Sequence, residues 1–172
     1  GYEPFDPSQQ SQYGYGRFAN VVTSLEFERL LSASGPFHGE LVRPRDRKAP
    51  ARIAWIQCVG SRDEAAGNPY CSSVCCMYAI KQVILSKEHC PDLQATVFHN
   101  DIRAHGKGFE RYVERARVLP GVRFVWSKVS PVREDPVQEA PGPPPEGTTQ
   151  PVLLLPRCLA HQHDPGARCP FP

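Results

Sequence analysis

The chain has 172 residues, enough for one ordinary domain by the prior of roughly 100–200 residues per domain. Twenty basic against 18 acidic residues leave a formal net charge of +2, which gives no reason to expect nucleic acid or an acidic membrane surface as a partner. No apolar run approaches the ~18 residues that span a bilayer, no secretory leader pattern opens the chain, and an odd seven cysteines point to thiols kept reduced in a cytoplasm.

Residues 1–20 are rich in Gly, Gln and Tyr without periodicity and read as loop. Thr23-Ser-Leu-Glu26 is a capping-box pattern, and Leu25, Phe27, Leu30 and Leu31 after it predict a short helix over 24–34, stopped by Gly35-Pro36. Arg52 to Gln57 predicts a buried strand. Cys75 to Lys87 predicts a helix with Met77, Ile80, Val83 and Ile84 on one side, and Ala95 to His99 a second strand. After Gly106-Lys-Gly108, the spacing of Phe109, Tyr112, Val113 and Ala116 predicts another helix, and Val122 to Trp126 a third strand. Strand and helix in this alternation imply an α/β unit, β-α-β-α-β, with a parallel sheet and right-handed crossovers. Beyond Asp135 the composition changes: ten of the nineteen prolines lie there, and Ala140-Pro-Gly-Pro-Pro-Pro-Glu-Gly147 excludes a regular helix or interior strand. Residues 136–172 therefore read as a Pro-rich tail, disordered or frameshifted, in which Val152-Leu-Leu-Leu155 offers a short strand.

The chemistry concentrates in Cys58, Cys71, Cys75 and Cys76, four thiols within nineteen residues at the spacing C-x12-C-x3-C-C. Thiolate is the ligand that iron-sulfur clusters and structural zinc select. Adjacent cysteines are unusual for zinc, whose sites mostly use separated C-x2–4-C pairs, which favours iron and sulfur. On the predicted plan Cys58 ends the first strand and Cys75-Cys76 opens the next helix, the crevice where open α/β sheets bind ligands. A dinucleotide site would carry G-x-G-x-x-G there; this chain has Gly60 and cysteines. Amides at a helix N-terminus favour negative charge, and a thiolate-ligated cluster is anionic. Zinc held by the same thiols, a redox dithiol and plain burial remain alternatives. Cys90, Cys158 and Cys169 have no informative spacing. His99 and His105 are single histidines near a turn and read as structural or exposed. Asp101-Ile-Arg103 and the glycines after it read as a turn and helix start, with a contact to a cofactor or a partner protein as the alternative.

Ile-Gln-Cys58-Val-Gly-Ser-Arg-Asp63, Tyr70-Cys-Ser-Ser-Val-Cys-Cys-Met-Tyr-Ala-Ile-Lys81 and Asp101-Ile-Arg-Ala-His-Gly-Lys-Gly108 resemble the A subunit of CoB-CoM heterodisulfide reductase. Tyr2-Glu-Pro-Phe-Asp6 and the segment from Val21 to Gly35 are similar to the same family, so the resemblance covers about residues 1–135. It implies a cytoplasmic FAD protein with a thioredoxin-reductase-like, Rossmann-type core that transfers electrons within a multi-subunit complex, with ferredoxin or hydrogenase-type partners. It also implies that Cys58, Cys71, Cys75 and Cys76 bind one [4Fe-4S] cluster, and that Glu28 and Lys81 lie near the flavin ring. On this resemblance residues 1–48 correspond to a piece of the FAD domain, 50–135 to the Rossmann-like unit carrying the cluster loop, and 136–172 to the tail. The chain departs from the family in having no G-x-G-x-x-G and no C-x2-C-x2-C-x3-C-P run, and its start at Gly1 fits an internal fragment expected to be inactive alone.

Overall fold

Ile53, Ala54, Trp55 and Ile56 are all buried, so the strand they form, β3 (Arg52–Ile56), is covered on both faces, as interior parallel strands are. A computed structural model describes residues 2–129, 131–133, 152–155 and 159–161. From β3 the chain runs through α2 (Cys75–His89) to β4 (Gln94–His99), then through α3 (Phe109–Arg117) to β5 (Val122–Trp126). β3 pairs parallel with β4 (Ile53 opposite Ala95) and β4 with β5 (Ala95 opposite Val122), the β-α-β-α-β unit that the sequence predicts.

Two elements precede it. β2 (Val21–Thr23) leads directly into α1 (Ser24–Leu31), whose capping box is complete: the Thr23 hydroxyl accepts from the Glu26 amide at 3.3 Å, and the Glu26 carboxylate accepts from the Thr23 amide at 2.6 Å. The helix closes at Ser32, short of the predicted 34, because Ser32-Ala-Ser-Gly35 turns on itself with Gly35 N–H donating to Ser32 O at 2.7 Å. The sequence gives no sign of β2; three residues are too few to show a period.

The larger departure is β6 (Val152–Leu155), which lies between β2 and β3, making a five-stranded parallel sheet in the order β2-β6-β3-β4-β5. Leu153 is opposite Val21 on one side and Ala54 on the other, and the Ser24 hydroxyl reaches Leu155 O at 3.4 Å. The short strand that the sequence offers at Val152–Leu155 therefore forms, and it lies inside the sheet. Its physical basis is the four-residue apolar run, in which Val152, Leu154 and Leu155 are at most 1 % exposed. Outside it, β7 (Leu159–His161) pairs antiparallel with β1 (Tyr2–Pro4). The rest of 134–172 lies outside the described residues, as do Cys158 and Cys169.

Alternation along β3 and β6 divides the core. Ile53, Trp55 and Leu154 point to the helical face, where Phe27 and Leu31 of α1 and Ala79 and Val83 of α2 cover them. Ile56 and Leu155 point the other way, onto Phe5, Tyr13 and Val59. A satellite cluster of Ile80, Ile84, Val113 and Ala116 joins α2 to α3. Trp55 is fully buried with its ring edge-on to Phe27 at 6.1 Å between centroids. Among the described residues no helix is long and apolar enough to cross a membrane.

Candidate metal centre

The chain leaves β3 through Gln57 and reverses at once: Cys58, Gly60 and Arg62 all take positive φ, at 62°, 71° and 55°. At Gly60 the reason for glycine is direct, since a Cβ there would meet the Phe5 ring at 2.0 Å. The loop from 58 to 74 is then held by its own polar groups. Asp63 and Asn68 exchange backbone hydrogen bonds, Arg62 N–H donates to Tyr70 O at 2.9 Å, and the buried Ser61 hydroxyl donates to Tyr70 O at 3.1 Å and accepts from Ser72 N–H at 3.3 Å. The Asn68 amide donates to Gly60 O at 3.0 Å. The N-terminal segment fastens this loop from outside through Gln10 Nε2 to Asp63 Oδ2 at 2.7 Å. This folding back brings Cys71 near Cys58, and Ser73 N–H donates to Cys71 Sγ at 3.3 Å.

Cys75 and Cys76 occupy the first turn of α2 and are 1 % and 4 % exposed, whereas Cys58 and Cys71 are half-buried. Burial pushes the Cys58 thiol up to about 11, with Cys76 and then Cys71 adding to the rise and Arg62 opposing it. Cys76 is raised by its hydrogen bond with Cys75, by burial and by the charge of Cys75; the Arg103 backbone amide, hydrogen-bonded to it, works the other way. Cys58 and Cys76 therefore have neighbouring sulfurs that disfavour their ionisation. A cationic centre reverses that balance, and the amides and helix dipole at the start of α2 suit an anionic complex. The donor set thus fits a thiophilic metal group. Among the described residues no three Cys, His, Asp or Glu side chains stand in metal-holding geometry, so the sulfurs share a neighbourhood without converging on a point. No disulfide joins the five described cysteines, Cys90 included.

Glu28 of α1 and Lys81 of α2 are brought together, with Nζ 2.8 Å from Glu28 Oε2. They stand on the rim of an apolar groove of about 320 Å³ lined by Leu25, Val74 and Tyr78, which borders the Cys75–Cys76 turn. The pair is set from beneath by Gln82, which the sequence does not single out. Its Nε2 donates to Glu28 Oε1 at 3.1 Å and to Ser24 O at 3.0 Å, and its Oε1 accepts from Trp55 Nε1 at 3.1 Å. A glutamine between the apolar Ile80 and Val83 of a core-facing helix is the one signal that could have found it. Arg62 is equally inconspicuous in the sequence; it pairs with Asp101, which in turn binds Arg103 Nε at 3.0 Å. His99 is half-buried against Phe124, His105 is exposed, and neither joins the cysteines.

No protein-family model matches the chain. Among curated proteins it is 52 % identical over 136 residues to an iron-sulfur A subunit of CoB-CoM heterodisulfide reductase from Methanopyrus kandleri, covering 79 % of this chain and 21 % of that protein. It is 50 % identical, with the same coverage, to the A subunit of the H(2)/formate:CoB-CoM heterodisulfide,ferredoxin reductase of Methanococcus maripaludis. To the A subunit of the ferredoxin/F(420)H(2)-dependent CoB-CoM heterodisulfide reductase of Methanosarcina acetivorans it is 43 % identical over 132 residues, 77 % of this chain and 16 % of that one. The chain spans about a fifth of the length of the curated relatives it matches, and over that stretch it is similar to A subunits of CoB-CoM heterodisulfide reductase, oxidoreductase subunits of which some are named iron-sulfur proteins.

Proposed function

We propose that Cys58, Cys71, Cys75 and Cys76 hold one [4Fe-4S] cluster, and that the chain passes electrons between it and an FAD whose ring lies along the Glu28–Lys81 groove. When bound, the cluster supplies one-electron transfer and the flavin exchanges electrons singly or in pairs. The observation that supports this reading is the placing of Cys75 and Cys76 in the first turn of α2 beside the loop that carries Cys58 and Cys71, with an amide on Cys71 and another on Cys76. Such N–H···S bonds and the α2 N-terminus stabilise the charge that electrons bring. Lys81 sets an ammonium beside the groove and Glu28 fixes its direction. Leu25, Val74 and Tyr78 exclude water from one flank of it. The chain has no G-x-G-x-x-G, so its share of a flavin site is this ring-facing groove, the pyrophosphate being gripped elsewhere.

In this reading the chain works inside a multi-subunit, heterodisulfide-reductase-like complex, exchanging electrons with other redox subunits and with ferredoxin or a hydrogenase-type donor. Described cysteines that form no disulfide fit a reducing cytoplasm. Anaerobic reconstitution with iron and sulfide is the test. A brown protein absorbing near ~400 nm with labile sulfide supports the assignment; a colourless protein carrying one zinc per chain contradicts it.

A further inference from the structure

The Asp101-Ile-Arg103 turn does more than end a strand. Asp101 Oδ1 accepts from Arg62 Nη1, and its Oδ2 accepts from Arg103 Nε at 3.0 Å. Arg62 comes from the loop after β3, while Asp101 and Arg103 come from the turn after β4, so the carboxylate links the two β-to-α turns that flank the cysteines. Asp101 O lies 3.9 Å from Cys76 Sγ, and the Arg103 amide bonds the same sulfur. The three side chains are 31 %, 44 % and 40 % exposed for Arg62, Asp101 and Arg103. Ion pairs that open contribute little to stability. What they do supply is charge in a fixed place: one carboxylate against two guanidiniums leaves a net positive charge beside the thiols. Arg62 acts on Cys58, and Arg103 interacts with Cys71 and Cys76.

We infer that Asp101 is a positioning residue that clasps Arg62 and Arg103 over the cysteine crevice, so that their net positive charge stabilises the one-electron-reduced, more negative state of the metal group held there. The inference rests on the [4Fe-4S] reading. Arg62→Gln and Arg103→Gln each remove one positive charge and shift the couple toward the oxidised state. Asp101→Asn is the discriminating change, because it removes a negative charge and also releases both arginines. Where the arginines are already absent, only the charge counts and the reduction potential rises. In the intact chain, the released guanidiniums cancel that rise.

The experiment is an anaerobic redox titration, followed by electron paramagnetic resonance, of the iron-loaded chain. It compares wild type, the two single arginine variants, Asp101→Asn, and Asp101→Asn in the Arg62→Gln/Arg103→Gln background, with iron and sulfide measured in each. Each arginine variant is expected to lower the reduced-to-oxidised ratio up to roughly tenfold at fixed ambient potential, which corresponds to about 59 mV for a one-electron couple. Asp101→Asn is expected to raise the potential only in the double-arginine background. An equal rise in both backgrounds overturns the inference. So does a wild-type potential in both arginine variants, which decides the matter even if Asp101→Asn fails to load iron. A wild-type chain that takes up no iron overturns the cofactor assignment itself.

Discussion

Replacing Gln82 by leucine removes the polar hub between α1, α2 and β3. The side chain is fully buried and makes three hydrogen bonds, to Trp55 Nε1, Ser24 O and Glu28 Oε1. Leucine fills similar volume but leaves the Trp55 indole N–H buried with that partner gone; the Ser24 carbonyl keeps its bond within α1, and Glu28 remains partly exposed and is rehydrated. The orphaned indole N–H costs about 1–3 kcal/mol and the two lost bonds to Ser24 O and Glu28 about 0.5–1.5 kcal/mol each, while the added apolar burial returns ~1–2 kcal/mol, so Gln82→Leu should destabilise by about 2–3 kcal/mol. Lys81→Met, which removes only an exposed pair, should cost less than ~1 kcal/mol. Urea unfolding midpoints at constant m-value give both numbers. A Trp55→Phe background supplies the internal control: with no indole N–H to strand, the cost of Gln82→Leu should fall by about 1–2 kcal/mol. A Gln82→Leu chain within ~0.5 kcal/mol of wild type, or an unchanged cost in the Trp55→Phe background, refutes the reasoning.

Gly60→Ala should destabilise by at least ~2 kcal/mol, since it combines a positive φ of 71° with a Cβ 2.0 Å from the Phe5 ring; Gly16→Ala, with the same sign of φ and open space around it, should cost only ~1 kcal/mol in the same denaturation assay. Gln57 is 8 % exposed and neither end of its amide finds a hydrogen-bond partner among the described residues, so Gln57→Met should leave the iron-free chain as stable or up to ~2 kcal/mol more stable by urea unfolding. Burial, followed by the charge of Arg117, holds the His99 pKa below its ordinary 6.5. Its neutral form therefore favours the fold above that pH, and stability should fall as the pH drops below 6.5 toward the folded-state value; thermal melts across this window should show a shallower fall in His99→Phe.

The β-α-β-α-β unit was legible because each of its elements carries a local signal, as in the i, i+3, i+4 spacing of Phe109 to Ala116 and the β-branched and aromatic run in β5; the capping box at Thr23 marks α1 ahead of it in the same way. β6 was only half legible. Val152 to Leu155 is visible as an apolar run, but its pairing with β2 and β3 joins residues far apart in sequence, and the prolines around it mask its role. The density of the four cysteines marks them out in the sequence, with zinc, a redox dithiol and plain burial as competing readings of the same spacing. What surrounds it could not. Arg62 resembles any solvated arginine in a loop, and only the fold brings it to Asp101. Gln82 likewise gains meaning only when α1 and β3 lie on either side of it.

The most direct test of the central claim is iron bound per chain after anaerobic reconstitution of five single Cys→Ser variants. With a [4Fe-4S] cluster on Cys58, Cys71, Cys75 and Cys76, wild type and Cys90→Ser should each hold about four iron atoms. The other four variants should lose the cluster or hold it in a fraction of chains. Full iron in any two of those four variants, or its loss in Cys90→Ser alone, contradicts the assignment.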